Sequence, residues 1–197
     1  MEPVYTCETS IGKSIISNCT TQKVGGLEAK AWIFPRQIFK NSFTFDATYP
    51  NKITAITKVI DYRCFTVKGV KKMLNAGYDV IIAEDRADRY IHKFNFQQFE
   101  VAAADIANVD ALKDVFVVVE RKHKTSSGEG TFVAYGVENG LYKTTDGKME
   151  NDIDGARNLE LATLDGQGEK YSEYTVLNTN YADTLSMLVA LESVGVA

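Results

Sequence analysis

Apolar residues recur along this chain mostly at every second position, the spacing of half-buried strands. Residues 27–34 read as a strand ended by Pro35. Residues 42–48 alternate Phe43, Phe45 and Ala47 with polar neighbours. Residues 53–60 and 63–68 are rich in β-branched and aromatic side chains and predict a β-hairpin about Asp61-Tyr62. A short apolar strand is expected at 80–83. A longer one at 90–101 sets Ile91, Lys93, Asn95 and Gln97 on one face and His92, Phe94, Phe96 and Gln98 on the other. The unbroken apolar run at 115–120 predicts a buried central strand, paired with 131–135 across the turn at 125–130. Asn139-Gly140 predicts a tight turn of the primed kind at the end of that partner strand. Residues 159–164 and 171–177 flank Asp165-Gly166-Gln167-Gly168 and predict another hairpin.

Two segments carry a helical period instead. In 105–113, Ile106, Val109 and Leu112 recur every third residue and Asp105 serves the first turn. In 181–192, Leu185, Leu188 and Val189 are expected inward, behind Asn180 as cap. The fold class is therefore mainly β (α+β): a β-sandwich or barrel with a helix packed on one side. Residues 1–26 show no period and close on Gly25-Gly26. They read as an N-terminal arm before a single domain over 27–197, with a hairpin excursion at about 53–68.

Composition changes this picture little. A chain of 197 residues, 45% hydrophobic and 24% charged, can bury a core without disulfide or metal support. A net charge of −4 offers no global basic field for nucleic acid. Cys7, Cys19 and Cys64 are odd in number and irregularly spaced, which predicts free thiols in a reducing compartment. No signal-peptide pattern and no membrane-length apolar run is seen, so synthesis in a cytoplasm and no membrane partner are expected.

Candidate chemistry falls short at each place it is sought. Ser10-Ile11-Gly12-Lys13-Ser14 resembles the end of a phosphate-binding loop, but the glycine required five residues before the Gly-Lys pair is replaced by Cys7. Asp146, Glu150, Asp152 and Asp154 form an acidic stretch with Gly147 and Gly155 that lacks the ligand spacing of a calcium loop, and read as a solvated turn. No nucleophile elbow occurs. His92, in an aromatic-rich strand, reads as a structural histidine. The run Arg121-Lys122-His123-Lys124 reads as a strand end or a contact with an acidic surface. No catalytic, cofactor-binding or metal-binding residue is expected.

Three stretches carry a resemblance. They are Val115-Phe116-Val117-Val118-Val119-Glu120-Arg121-Lys122, Gly130-Thr131-Phe132-Val133-Ala134-Tyr135-Gly136, and Glu138-Asn139-Gly140-Leu141. Together they resemble a block in structural proteins of tailed phages of gut Bacteroidales, the crAss-like phages among them. The opening Asn18-Cys19-Thr20-Thr21 to Ala31-Trp32-Ile33-Phe34, and the late Leu161-Ala162-Thr163-Leu164 and Tyr174-Thr175-Val176-Leu177, are similar to the same proteins. The resemblance implies a tail-tube-like fold that assembles into six- or twelve-fold homo-oligomeric rings in a virion tail tube, neck or portal-proximal connector. Its implied partners are further copies, neighbouring tail, neck or portal proteins, and double-stranded DNA passing transiently and without sequence preference through the lumen. The arm and the 53–68 segment are then expected to carry subunit contacts. A rival reading is a carbohydrate-binding β-sandwich module with Trp32, Tyr142 or Tyr174 as a stacking platform. A small enzyme is argued against by the missing constellations.

Overall fold

A computed structural model describes residues 25–69, 73–84, 87–99, 102–151 and 155–193. The described strands form two sheets. In the first, β2 (Phe43–Phe45), β3 (Lys52–Ile56), β11 (Tyr174–Val176), β8 (Phe132–Tyr135), β7 (Val115–Arg121), β1 (Leu27–Pro35) and β4 (Phe65–Lys68) lie side by side in that order. Neighbours run antiparallel except β3 and β11, which are parallel. The second sheet is antiparallel, in the order β5 (Asn75–Ile81), β6 (Arg89–Gln98), β10 (Arg157–Ala162) and β9 (Tyr142–Lys148).

The first sheet is apolar on both faces because both are covered. Ala31, Ile33, Val117, Val119 and Val133 point to the second sheet and pack with Phe94, Phe96, Leu159 and Leu161. Trp32, Phe34, Phe116, Val118 and Phe132 point the other way, toward a helical layer. That layer is α3 (Tyr181–Ala190), which buries Leu188 and is continued by Leu191, and the single turn α1 (Arg36–Phe39), which buries Phe39. Phe34 stacks on Phe116 at 4.6 Å, and Phe39 and Phe43 meet that pair edge-on. The result is a β-sandwich with a flanking helix, in agreement with the fold class read from the sequence. α2 (Ala103–Asp110) lies at the sandwich margin, with Val109 and Leu112 half-buried against the inner core.

The Asn180 side chain accepts from the Asp183 amide at 3.0 Å and caps α3 as expected. Val189, expected inward, is 48% exposed, and Met187 and Leu191 turn to the core in its place. The central strand at 115–120 and its pairing with β8 are observed.

Both predicted hairpins at 53–68 and 159–177 are corrected. β3 pairs with β2 and β11, whereas β4 pairs with β1 at the far edge of the same sheet. The link between them crosses the outer face: Val59 packs on the outer core, and the Cys64 amide donates to the Leu191 carbonyl at 2.9 Å. The apolar anchors at Val59 and Cys64 therefore override the local turn at Asp61, which does adopt φ +66°. Likewise β10 belongs to the second sheet and β11 to the first, so the turn at Gly166 (φ +76°) leads across the sandwich edge. The turn at Asn139-Gly140 is corrected in kind. Gly140 has φ +81°, but Asn139 does not share the left-handed region, and the chain passes from β8 in the first sheet to β9 in the second. The arm, apart from Gly25 and Gly26, lies outside the described residues, as do Cys7, Cys19 and the 10–14 loop.

Candidate functional site

The chain crosses between the sheets twice at one corner, at residues 136–141 and again at 163–173. Two buried ionisable side chains tie these crossovers together. His92 comes from β6, where alternation turns it inward; it is 0% exposed. Its Nδ1 accepts from the Gly136 amide at 3.0 Å, and its Nε2 lies 2.8 Å from the Tyr171 carbonyl. A backbone amide can only donate and a carbonyl can only accept, so the imidazole is neutral with its proton on Nε2. Burial holds its pKa down to about 4, against the opposing pull of the Tyr171 carbonyl. Glu169, from the second crossover, is also fully buried; its two oxygens accept from the Glu138 amide at 2.9 Å and the Asn139 amide at 2.8 Å. Burial pushes its carboxyl up to about 7, although those two amides favour the ionised form. The Tyr174 hydroxyl is buried near Glu138 without hydrogen-bonding geometry, and burial holds its pKa well above the ordinary phenol value.

An ion pair braces the same corner from the other side. Arg36 Nε donates to Asp114 at 2.6 Å and Arg36 Nη1 to the Glu138 carbonyl at 2.7 Å, while Gln37 also donates to Asp114. Asp114 holds φ +52°, a conformation that costs an L residue about 1 kcal/mol and that its three side-chain hydrogen bonds offset.

The His92–Glu169 pair makes a stability prediction. His92 has a depressed folded pKa, so its contribution is present above pH 6.5 and lost as pH falls toward about 4. Glu169 has a raised one, so its contribution is present below pH 4.5 and lost as pH rises toward about 7. Each spans roughly 3 kcal/mol, and the two oppose one another over most of that range. Glu169→Gln should therefore leave a protein that loses stability on acidification, and His92→Asn one that loses it on neutralisation. Urea midpoints at half-unit pH steps read both slopes; two variants with the wild-type profile would refute the assignment.

The other sequence candidates are placed as follows. Arg121 pairs with Glu173, and Lys124 pairs with Glu120 at 2.9 Å and Glu28 at 3.6 Å, so two cations of the basic run are already neutralised within the chain. Asp146 is bound by Arg157 at 2.6 Å and Lys143 at 2.9 Å, which hold its carboxyl down at about 2. Arg157 also reaches Asp110 at 2.5 Å and pins α2 to the second sheet. Asp152 and Asp154 lie outside the described residues; among the described residues no group of three or more His, Cys, Asp or Glu could hold a metal. Trp32 and Tyr174 are core residues, 0% and 1% exposed, and Tyr142 is half-buried. The stacking platform of the carbohydrate reading therefore loses two of its three members. Cys64 is a free buried thiol that burial pushes up to about 12.

Each edge strand, β2, β4, β5 and β9, has a single ladder partner among the described residues. Three of these edges carry exposed apolar side chains: Phe45 on β2, Phe65 on β4, and Tyr78 and Val80 on β5, followed by Ile82 at 78% exposure. Tyr78 stands opposite His92 and so belongs to the inward face of its sheet, yet it is 46% exposed, with Tyr90 edge-on to it at 5.5 Å. A cleft of about 980 Å³ opens between β4, the end of β6 and α2, walled by Phe65, Val67, Phe96, Phe99 and Leu112. The segments 70–72 and 100–101, which adjoin it in the chain, are outside the described residues.

A scan of protein-family models, a search of curated proteins and a search of solved structures each found no match to this chain. No described helix is long and apolar enough to cross a membrane.

Proposed function

We propose that the chain is a virion structural protein that assembles into stacked homo-oligomeric rings of a phage tail tube, neck or portal-proximal connector. The observation that carries this reading is the set of open sheet edges with apolar side chains. An unpaired edge is a template for another chain, and soluble monomers usually blunt it with charge, proline or a cover. Here β5 presents Tyr78 and Val80, with Ile82 just past its end, at an edge that is open among the described residues. A ring built from one repeated contact satisfies such edges without a second protein. The residue resemblance at 115–142 supplies the phage context. The polar side chains of the corner are spent on holding the sheets together, which fits a scaffold. DNA in a ring lumen would meet phosphate contacts alone, so binding should be weak and salt-dependent.

The test is assembly. Sedimentation velocity and negative-stain microscopy at rising concentration should show rings or short tubes. A strictly monomeric protein under all conditions, with no ring in the parent particle, would sink the proposal. The double variant Val80→Lys, Ile82→Lys should keep its stability to within about 0.5 kcal/mol, as exposed substitutions do, while ring formation is lost. Rings that persist in that variant would move the interface away from β5.

A further inference from the structure

We propose that the corner where the chain crosses between its sheets is an acid-operated latch: a second proton on His92 releases the 136–140 crossover while the sheets stay folded. The inference does not depend on the assembly reading and concerns a site that reading leaves as scaffold.

The geometry makes the latch one-sided. Both ring nitrogens of His92 are committed, one to each crossover: Nδ1 to the Gly136 amide and Nε2 to the Tyr171 carbonyl. A proton added to Nδ1 sets donor against donor at Gly136, whereas the Nε2 bond to Tyr171 survives unchanged. The bond lost is therefore on the 136–140 side alone, at the Gly136 end of that crossover, with 163–173 still attached to the imidazole. His92 itself stays in β6, where its amide donates to the Thr163 hydroxyl at 3.1 Å and its carbonyl accepts from the Thr163 amide at 3.0 Å.

Little around the ring can answer the new charge. Tyr135 and Tyr174 present ring edges or faces at 5.2 and 6.5 Å, and Tyr78 stands across from it on β5. Arg121 on β7 is a cation already paired with Glu173. Glu138 binds the Lys170 amide at 3.0 Å. Glu169 takes up its own proton near neutrality, so the buried carboxyl of this corner is uncharged when the imidazole protonates. Protonating Glu169, whose oxygens accept from the Glu138 and Asn139 amides, favours the folded corner and so opposes the release at His92. Both titrations thus act on one short segment. Both ends of that segment are glycines, Gly136 and Gly140 at φ +76° and φ +81°, the residue type with the widest choice of backbone conformations once a bond is lost.

Amide hydrogen exchange of the full chain, expressed as protection relative to the intrinsic rate at each pH, tests the latch. Between pH 7 and pH 4, protection of Gly136, Glu138 and Asn139 should fall at least roughly tenfold, the change expected per unit of pH once a linked proton is taken up. Val117 to Val119 in β7 should hold theirs. The imidazole nitrogen shifts of His92 should titrate with the same midpoint. His92→Asn, whose side-chain oxygen can accept from Gly136 but takes no proton in this range, should keep that amide protected to pH 4. Uniform loss across β7 and the crossover would mean global unfolding and would overturn the proposal, as would a crossover that stays protected while His92 titrates. If His92→Asn does not fold, the wild-type exchange and imidazole titration still decide between these outcomes.

Discussion

Replacing Gly140 by valine should cost the fold about 3 kcal/mol, from two sources that add. The backbone holds φ +81°, where a β-branched residue is strained by roughly 1–2 kcal/mol. A Cβ at this position would also stand 2.2 Å from Asp114 Oδ1 and 2.9 Å from Arg36 Nε, so it would push into the ion pair that braces the corner. Forcing atoms into an occupied site costs about 1–3 kcal/mol more. For a chain of this size the melting temperature should drop by about 6–12 °C. Gly130→Val supplies the control, because φ is +73° there but nothing lies within 4 Å of the added carbon. It should show the backbone part alone. Equal losses in the two variants would mean that the Arg36–Asp114 pair yields freely and does not brace the crossover.

Trp32→Ala should be at least as damaging, at about 3–5 kcal/mol, the usual range for deleting a buried large aromatic. The indole is 0% exposed on the outer face of the first sheet, edge-on to Phe132 at 6.1 Å. Its Nε1 donates to Glu192 at 2.8 Å, the same carboxylate that pairs with Lys30. Removal therefore opens a cavity under α3 and leaves Glu192 with one partner fewer. Tyr142→Ala, at a half-buried edge position, should cost under about 1 kcal/mol. Urea unfolding followed by circular dichroism gives both values, since the chain has one tryptophan and fluorescence would lose its reporter. A Trp32→Ala protein of unchanged stability that lost affinity for a sugar would revive the carbohydrate reading against this one.

Much of the architecture could be read from side-chain order. β1 ends at its proline, β6 turns His92, Phe94 and Phe96 inward by alternation, and β7 is apolar on both faces because a sheet and a helix cover it. Connectivity was harder to read. A turn signal such as that at Gly166 has the same residues whether the chain reverses within one sheet or climbs to another. The choice is made by tertiary contacts such as Glu169 to the Glu138 and Asn139 amides. Likewise β3 and β4 look like two arms of one hairpin until Val59 and Cys64 are seen anchored on the outer face. β9 was missed because an edge strand reading Tyr-Lys-Thr-Thr-Asp-Gly-Lys has little apolar content to alternate. Of the corner, the inward face of His92 was legible. The buried carboxyl of Glu169 was not, since nothing in Gly168-Glu169-Lys170 marks it as different from a surface residue.

The parallel pairing of β3 with β11 has a consequence for the order of events during synthesis. Thr175 aligns with Lys52 and Val176 with Ile53, so among the described strands the ladder from the early edge of the first sheet to its centre runs through residues made more than a hundred positions later. Until β11 emerges, the β2–β3 pair has no ladder to the β8–β7–β1–β4 block, and the outer aromatic face lacks α3. Closing so long a loop is slow and leaves apolar surface waiting for its cover. A nascent chain halted before Tyr174 should thus be a substrate for holding chaperones, and release of the last elements should complete the fold in one cooperative step.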